Sequence, residues 1–123
     1  MKVKHYALAV KKPDIKKFYE DILGFEGVRE FKVNGSDAAR IFGLLGSVEV
    51  KMMQHEGIDF EMFVTGCTQF VTYAHICLET GRAGDIFRKA TEAGYPCFER
   101  NSNGSNTYFI RDHSQNLFEL KEG

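Results

Sequence analysis

The sequence of 123 residues has no surplus of either charge, because 16 Lys and Arg residues stand against 17 Asp and Glu residues. Binding to nucleic acid or to an anionic membrane surface depends on an excess of basic residues, so neither kind of partner is expected. No apolar run approaches the roughly 18 residues that a membrane span needs. The first residues, Met1 to His5, lack the apolar stretch of a signal peptide. We therefore expect a soluble, cytoplasmic protein.

Cysteine is also scarce. Cys67, Cys77 and Cys97 are odd in number and none belongs to a CxxC motif. This excludes a disulfide framework and a zinc knuckle, and it indicates reduced thiols. The sequence also lacks a glycine-rich phosphate loop and a Ser-His-Asp arrangement, so neither nucleotide binding of that type nor serine hydrolysis is indicated.

What is present is typical of a globular protein. Apolar residues make up 43% of the chain and charged residues 27%, and the length suits one compact domain over residues 1–123.

Two stretches have helical periodicity. Residues Pro13–Leu23 place apolar side chains at i, i+3, i+4, i+7 and i+8, and Gly81–Ala93 repeats this plan. Gly24 and Gly94 follow the two stretches and suit the end of a helix. A third, shorter helix is predicted at Asp37–Leu44.

The remaining segments alternate as strands do and are separated by turn residues. The predicted strands are Lys2–Val10, Gly27–Val33, Val48–Gln54, Ile58–Val64, Thr72–Glu79, Cys97–Asn101, Thr107–Arg111 and Leu117–Lys121. The order is strand, helix and three strands, given twice. The fold class is therefore α+β, with two βαβββ modules and not a doubly wound sheet.

An internal repeat supports the two modules. Residues 5–8 match residues 75–78, and Gly24 matches Gly94, both at an offset of 70. Residues 60–62 match residues 118–120 at an offset of 58, so the first half carries about twelve additional residues. The modules are expected at 1–66 and 70–123, and the extra residues fit the short helix.

The alternation of strand side chains gives each module one histidine and one glutamate on the same face. His5 and His75 come from the first strand of each module, and Glu61 and Glu119 come from the last strand. Their neighbours along the strands are apolar and are expected to cover the helices, which leaves these four on a helix-free face. If the two sheets curve around a common cleft, two imidazoles and two carboxylates converge there.

Such a set suits a divalent metal ion, since imidazole favours Zn, Ni, Co or Fe(II) and carboxylate extends the choice to Mn. Four protein ligands leave open positions for a small substrate, which is typical of a catalytic metal site. The alternative is that these residues are ordinary polar side chains on the solvated face of a sheet. The recurrence of the same residue types at the same place in both halves favours the metal site.

The chain resembles the vicinal oxygen chelate superfamily, which includes glyoxalase I, methylmalonyl-CoA epimerase, extradiol dioxygenases, fosfomycin-resistance enzymes and bleomycin-binding proteins. The resemblance rests on the His that opens each half, the Phe-Glu that ends each half and the βαβββ repeat. Residues 109–120 resemble the closing stretch of the family, usually Asp-Pro-(Asp/Ser)-Gly-Asn-x-x-Glu-Leu. Here His113 replaces the Pro and Gln115 replaces the Gly, which predicts a distorted turn.

The resemblance implies a glyoxalase-like fold in which His5, Glu61, His75 and Glu119 occupy the four metal-ligand positions of glyoxalase I. It implies a lyase or isomerase similar to lactoylglutathione lyase, with proton transfer through an enediolate on the metal. Glu119 is the expected base and Glu61 its symmetric partner. Ala9 stands where glyoxalase I has an Arg that pairs with glutathione, which puts glutathione specificity in question.

Three other activities stay open within the same scaffold. They are epimerisation, ring cleavage by an Fe(II) extradiol dioxygenase, and non-enzymatic binding of a small molecule or antibiotic as in bleomycin resistance. The family usually dimerises and exposed sheet edges need cover, so a homodimer is expected. A small molecule is the expected substrate.

Further candidates surround the four ligands. Arg111 is a candidate for binding an anionic group of the substrate. Phe63, Tyr73 and Phe109 are candidates for an apolar substrate wall, although aromatic packing explains them equally well. The segment Gln54 to Glu56, with its His55, is an alternative source of a ligand if the strand of Glu61 has a different register. Cys77 lies two residues after His75 on the same face, where a small thiol packed in the sheet is the simpler interpretation.

Overall fold

The computed structural model describes residues 1–123 as two compact units, Met1–Cys67 and Thr68–Gly123. Each unit contains a four-stranded mixed sheet with one helical segment after its first strand. This arrangement confirms the predicted α+β class and the two βαβββ modules. None of the helices is long and apolar enough to cross a lipid bilayer.

The first unit has its strands in the order β1-β4-β3-β2. Its elements are β1 (Tyr6–Val10), α1 (Lys12–Asp14), a π-helix (Ile15–Glu20), β2 (Glu26–Val33), α2 (Gly35–Phe42), β3 (Val48–His55) and β4 (Ile58–Val64). Strand β1 runs parallel to β4, whereas the other neighbours are antiparallel. The first and last strands of the module are therefore side by side.

The second unit repeats this topology in the order β5-β8-β7-β6. Its elements are β5 (Ile76–Glu79), α3 (Ala83–Glu92), β6 (Cys97–Ser102), β7 (Ser105–Arg111) and β8 (Leu117–Lys121). Strand β5 is parallel to β8. No helix joins β6 to β7, which accounts for the shorter second module.

Each unit has a core on one face of its sheet, as the alternation predicts, and the first unit buries a second apolar cluster on the other face. Phe60 and Met62 of β4 and Phe118 and Leu120 of β8 are fully buried. Glu61 and Glu119, one residue along, therefore point to the opposite face. Burying these large apolar side chains is worth roughly 1.5–3 kcal/mol each, which fixes the register of both strands.

Two strands begin later than predicted. Strand β1 begins at Tyr6 instead of Lys2, and β5 begins at Ile76 instead of Thr72. Their parallel ladders start with the pairs Tyr6–Phe60 and Ile76–Phe118. The residues before them have strand-like sequence but no neighbouring strand to pair with, and both histidines lie just outside the regular ladder.

The first helical segment is not the regular α-helix that the periodicity predicts over Pro13–Leu23. It is one short α-helical turn followed by the π-helix, in which the Asp21 and Leu23 amides donate to carbonyls five residues earlier. The wider turn buries the adjacent side chains of Phe18 and Tyr19 together. Apolar spacing alone does not distinguish this wider turn from an α-helix.

Helix α2 lies two residues earlier than predicted, because the Asn34 side chain accepts a hydrogen bond of 2.9 Å from the Asp37 amide and caps its start. It packs on the sheet face that carries Glu61, where Ala38 joins a buried cluster with Val50 and Phe63. The prediction of a helix-free face is therefore wrong for the first unit. The apolar stripe on β2, β3 and β4 near Phe63 provides the surface that α2 covers.

The turn of residues 112–116 connects β7 to β8 and is ordered by Asp112. The carboxylate of Asp112 accepts hydrogen bonds from the Ser114 amide at 2.9 Å, from the Asn116 amide at 2.9 Å and from the Asn116 side chain at 2.8 Å. Gln115 adopts a left-handed conformation with φ of 75°. The turn thus closes with Gln115 in a backbone conformation that favours glycine.

Replacing Gln115 with glycine is expected to stabilise the protein. A left-handed conformation costs a residue with a Cβ atom about 1–2 kcal/mol, and glycine avoids this cost but loses some flexibility on folding. The expected net gain in the free energy of unfolding is about 0.5–1 kcal/mol, measured by urea denaturation. A loss of stability in Gln115→Gly would contradict the argument, and Gln54→Gly, in a regular strand, serves as the control that should lose stability.

Candidate functional site

The first unit brings His5 and Glu61 together. The Nε2 atom of His5 lies 3.2 Å from Oε1 of Glu61. His5 immediately precedes β1, and Ala7 two residues later pairs with Glu61 on β4, so the two side chains share one face. The imidazole is 43% exposed and the carboxylate 17%, which leaves the ring accessible above a mostly covered carboxylate.

The second unit repeats this pair with His75 and Glu119. The Nε2 atom of His75 lies 3.0 Å from Oε1 of Glu119, with side-chain exposures of 38% and 16%. His75 immediately precedes β5, and Cys77 pairs with Glu119 on β8. The two pairs are therefore built in the same way. The sequence repeat predicts this, because it places the His and the Glu at corresponding positions of the two modules.

The second pair has two additional contacts. The Nδ1 atom of His75 lies 2.8 Å from the backbone carbonyl of Tyr73, and a carbonyl can only accept, so Nδ1 carries the proton and donates it. Lys121 places its Nζ atom 3.6 Å from Oε2 of Glu119. Strand alternation could have predicted that Lys121 lies near Glu119, because the two residues are two positions apart on one strand. The contact with the Tyr73 carbonyl could not have been predicted, because a backbone group leaves no signal in the sequence.

These contacts test whether the pair fits a metal ion. When the only ring proton is at Nδ1, the lone pair of His75 Nε2 points at Oε1 of Glu119. Both atoms are then hydrogen-bond acceptors, and at 3.0 Å they repel each other unless a cation lies between them. A proton or a divalent metal can fill that role. Metal-bound histidines characteristically donate their second ring nitrogen to a carbonyl or carboxylate in this way. The donor set of imidazole nitrogen and carboxylate oxygen fits Zn, Ni, Co, Mn or Fe(II).

Each unit supplies two side chains of this donor set, and no third His, Cys, Asp or Glu joins either pair to form a group of three. Two ligands hold a divalent ion weakly, whereas catalytic sites have at least three protein ligands.

The alternative ligand His55 points elsewhere. Its ring stacks on Phe25 at 5.6 Å, and it shares the face of the buried Met53, which the first helical segment covers. Glu61 pairs with Met52 of β3 and faces the other side. The structure therefore separates His55 from Glu61.

Arg111 lies on the same face as Glu119, because Phe109 pairs with Glu119 and Arg111 is two residues away. Its guanidinium donates to the Gln115 carbonyl at 2.8 Å and to the Thr72 carbonyl at 3.5 Å. These two hydrogen bonds support the 112–116 turn and the segment that leads to His75.

The three aromatic candidates differ in environment. Phe63 is buried and packs edge-on against Phe42 of α2, with ring centroids 4.8 Å apart. Phe109 is half-buried beside Glu119. Tyr73 lies outside the sheet and its residue is 92% exposed, so within this chain its side chain contributes no wall.

Cys77 reports on the charge of Glu119. Cys77 is exposed and not packed in the sheet as expected, but the limited desolvation of its thiol, reinforced by the negative charge of Glu119, raises its pKa above the ordinary value of 9.0. The thiolate is the reactive form, so alkylation of Cys77 by iodoacetamide should be slow at neutral pH and should still be rising with pH at the ordinary value.

Removing the charge in Glu119→Gln is expected to lower the pKa of Cys77 and to increase its alkylation rate at pH 8. Burial is the larger cause of the shift, so the increase should be modest, about twofold. Mass spectrometry of the alkylated peptides measures it, with Cys97 as an internal control, since burial raises the pKa of that thiol without a contribution from Glu119. An unchanged ratio of Cys77 to Cys97 labelling would contradict the proximity of thiol and carboxylate.

The chain matches a known protein family along nearly its whole length. The family model of the Glyoxalase/Bleomycin resistance protein/Dioxygenase superfamily matches residues 2–120. None of the curated proteins matches the chain significantly.

Several solved structures have the same fold. The fosfomycin resistance protein FosX from Listeria monocytogenes, in a hexagonal crystal form, aligns with a TM-score of 0.76 and 18% identity over 100% of this chain and 93% of its own. A variant of that protein, complexed with Mn(II) and 1S,2S-dihydroxypropylphosphonic acid, aligns with a TM-score of 0.75 and 20% identity over 99% and 92%. A glyoxalase family protein from Enterococcus faecalis aligns with a TM-score of 0.69 and 18% identity over 98% and 97%. At these identities the likeness establishes the fold.

The sequence match extends over nearly the whole chain, and the duplicated module with its opening histidine and closing glutamate is present in both units. The chain belongs to the Glyoxalase/Bleomycin resistance protein/Dioxygenase superfamily.

Proposed function

We propose that this protein is a divalent-metal-dependent enzyme that acts on a small substrate with two neighbouring oxygen atoms. His5, Glu61, His75 and Glu119 are its metal ligands. The observation that carries the proposal is the pair of His75 and Glu119, in which Nε2 and Oε1 lie 3.0 Å apart while Nδ1 is held by the Tyr73 carbonyl. The pair of His5 and Glu61 repeats the same donor set.

The reaction that suits this ligand set is of the glyoxalase type, a lyase or isomerase that moves a proton between neighbouring carbons. The metal supplies Lewis acidity, which stabilises negative charge as it develops on the substrate oxygens. The chain supplies the proton carrier. Glu119 removes the proton and returns it at the next carbon, and Glu61 is the symmetric alternative. The low exposure of both carboxylates limits competition from water.

We further propose that the protein is a homodimer and that each cation is held by one pair of each kind. The two pairs come from one chain or from two. A mixing experiment distinguishes these cases: one variant lacks His5 and Glu61, and the other lacks His75 and Glu119. Metal binding that appears only after the two variants are mixed indicates sites shared between chains.

The proposal is tested first by metal content. Purified protein loaded with Mn(II), Ni(II) or Zn(II) is expected to retain about one equivalent per chain after dialysis. His5→Ala and His75→Ala are expected to bind at least about tenfold more weakly, since each removes one ligand. His55→Ala is the matched control because its ring lies on the other face. Equal metal retention in all four proteins would overturn the proposal. A screen of α-keto aldehydes with several thiols then identifies the substrate.

A second candidate is the opening of an epoxide on a small phosphonate. It is favoured by the FosX structures and by Lys121, whose cation lies 3.6 Å from Glu119 Oε2 in a position to neutralise an anionic substrate. Phosphorus NMR of fosfomycin incubated with the Mn(II)-loaded protein tests it. Oxygen uptake with catechols would instead indicate the dioxygenase, and ligand binding that is indifferent to a chelator would indicate a non-enzymatic binding protein.

A further inference from the structure

The first unit contains an apolar pocket of about 180 Å³. Its floor is formed by β1 and by the end of β4, and its side is formed by α2 and the residues that follow it. The lining residues are Ala7, Leu8, Ala9, Phe42, Leu44, Phe63 and Thr65. Almost all of the lining is hydrocarbon, so the pocket favours an apolar occupant.

The pocket lies next to the pair of His5 and Glu61 along the sheet. Ala7 lines the pocket and is the strand partner of Glu61, and Ala9 is the strand partner of Phe63. Glu61 and Phe63 are two residues apart on β4 and share one face, which separates their Cα atoms by roughly 7 Å. A group that occupies the pocket therefore lies a few bonds from anything bound at Glu61.

The second unit provides an internal comparison. By the offsets of the repeat, Cys77 and Glu79 correspond to Ala7 and Ala9, and Lys121 corresponds to Phe63. Glu79 pairs with Lys121 on the sheet, as Ala9 pairs with Phe63. The apolar wall is thus specific to the first unit.

The additional residues of the first module explain this difference. They include α2, whose Phe42 packs edge-on against Phe63, and Leu44, which packs on the same cluster. Phe42 is half-exposed and so remains available to a ligand. Helix α2 and the residues after it, which have no counterpart in the second unit, therefore form a pocket beside the pair of His5 and Glu61 and not beside the pair of His75 and Glu119.

We infer that this pocket, bounded by Ala9, Phe42 and Phe63, binds a hydrocarbon group of the substrate, up to the size of a benzene ring. The identification of the occupant as a substrate rests on the proposed function, whereas the pocket itself does not. An apolar protein cavity of about 150 Å³ is large enough for benzene, and this pocket is slightly larger. Ala9 is the strand partner of Phe63, so a larger side chain at this position would fill the space beside that ring.

The pocket is tested in the metal-free protein with benzyl alcohol as the probe. Titration is expected to shift the amide NMR signals of Ala7, Ala9 and Phe63. Ala9→Leu adds three carbons to the pocket and is expected to weaken binding at least about tenfold. Glu79→Leu, the same change at the corresponding position of the second unit, should leave the affinity unchanged. Phe42→Ala removes one wall from an exposed position, and it should also weaken binding if Ala9→Leu fails to fold.

Shifts confined to other regions of the chain, or equal affinity in wild type and Ala9→Leu, would overturn the inference. Sedimentation velocity of Ala9→Leu is the second control. A changed oligomeric state in this variant, with no binding of benzyl alcohol to the wild type, would mean that a second copy of the chain fills the pocket, and would also overturn it.

A pair of chelating probes separates this inference from the proposed function. Acetohydroxamate and benzohydroxamate carry the same two neighbouring oxygens and differ only in a methyl or a phenyl group. In the Mn(II)-loaded protein, benzohydroxamate is expected to bind about tenfold tighter by calorimetry, and Ala9→Leu should abolish this preference. Equal affinities in the wild type would overturn the pocket and leave the metal site standing. Binding of neither hydroxamate would overturn the metal site, and the benzyl alcohol titration would still decide the pocket.

Discussion

Replacing Glu119 with glutamine is expected to lower kcat at least about 100-fold on the α-keto aldehyde and thiol mixture that the screen identifies. A positioned general base contributes about 10²–10⁴ in rate, and glutamine keeps the shape of the side chain without its basicity. The amide oxygen can still act as a weak ligand, so metal binding should fall much less than turnover. Steady-state kinetics with measured metal content separates the two effects.

Two matched variants make the assignment specific. Glu122→Gln changes a carboxylate three residues further along, where its Oε1 accepts from the Gly84 amide, and it should leave kcat within about twofold. Glu61→Gln changes the symmetric carboxylate. If Glu61→Gln loses as much turnover as Glu119→Gln, both carboxylates carry protons. Unchanged turnover in Glu119→Gln would refute its role as the base.

Replacing Asp112 with alanine is expected to reduce the free energy of unfolding by about 3 kcal/mol or more. The Asp112 residue is 1% exposed, and its carboxylate accepts three hydrogen bonds of 2.8–2.9 Å from Ser114 and Asn116. Hydrogen bonds to a charged group contribute about 1.5–3 kcal/mol each, and buried donors left without a partner add a penalty. Urea denaturation measures the loss.

Glu99→Ala, at an exposed position of β6, is the control and should stay within about 0.5 kcal/mol of the wild type. Asp112→Asn should fall between the two, because its amide oxygen can still accept the backbone hydrogen bonds while its amide nitrogen meets the Asn116 side chain. A loss below about 1 kcal/mol in Asp112→Ala would contradict the structural role of the turn. The turn leads directly into β8, so the same substitution is also expected to disturb the contact between Glu119 and His75.

The shared design of the two pairs has a consequence for the evolution of the site. Duplication of the module reproduces the His–Glu pair, because the His before the first strand and the Glu on the last strand lie side by side on two parallel strands. The surroundings of the pairs have diverged. Lys121 and the Tyr73 carbonyl adjoin one pair, whereas Ala9, Phe63 and α2 adjoin the other.

The sequence by itself determined the α+β class, the two modules, the strands β4 and β8 to the residue, and the side of the sheet on which Glu61 and Glu119 lie. These features follow from local alternation and from the burial of residues such as Phe60 and Phe118, which a period of two reveals directly. Only the tertiary structure decided how the ladders end, since Lys2 and Thr72 have strand-like surroundings but find no pairing strand. It also decided that α2 covers the face of Phe63 and that the Tyr73 carbonyl accepts a hydrogen bond from His75. Such contacts depend on how the folded segments meet, and no periodic pattern in the sequence indicates them.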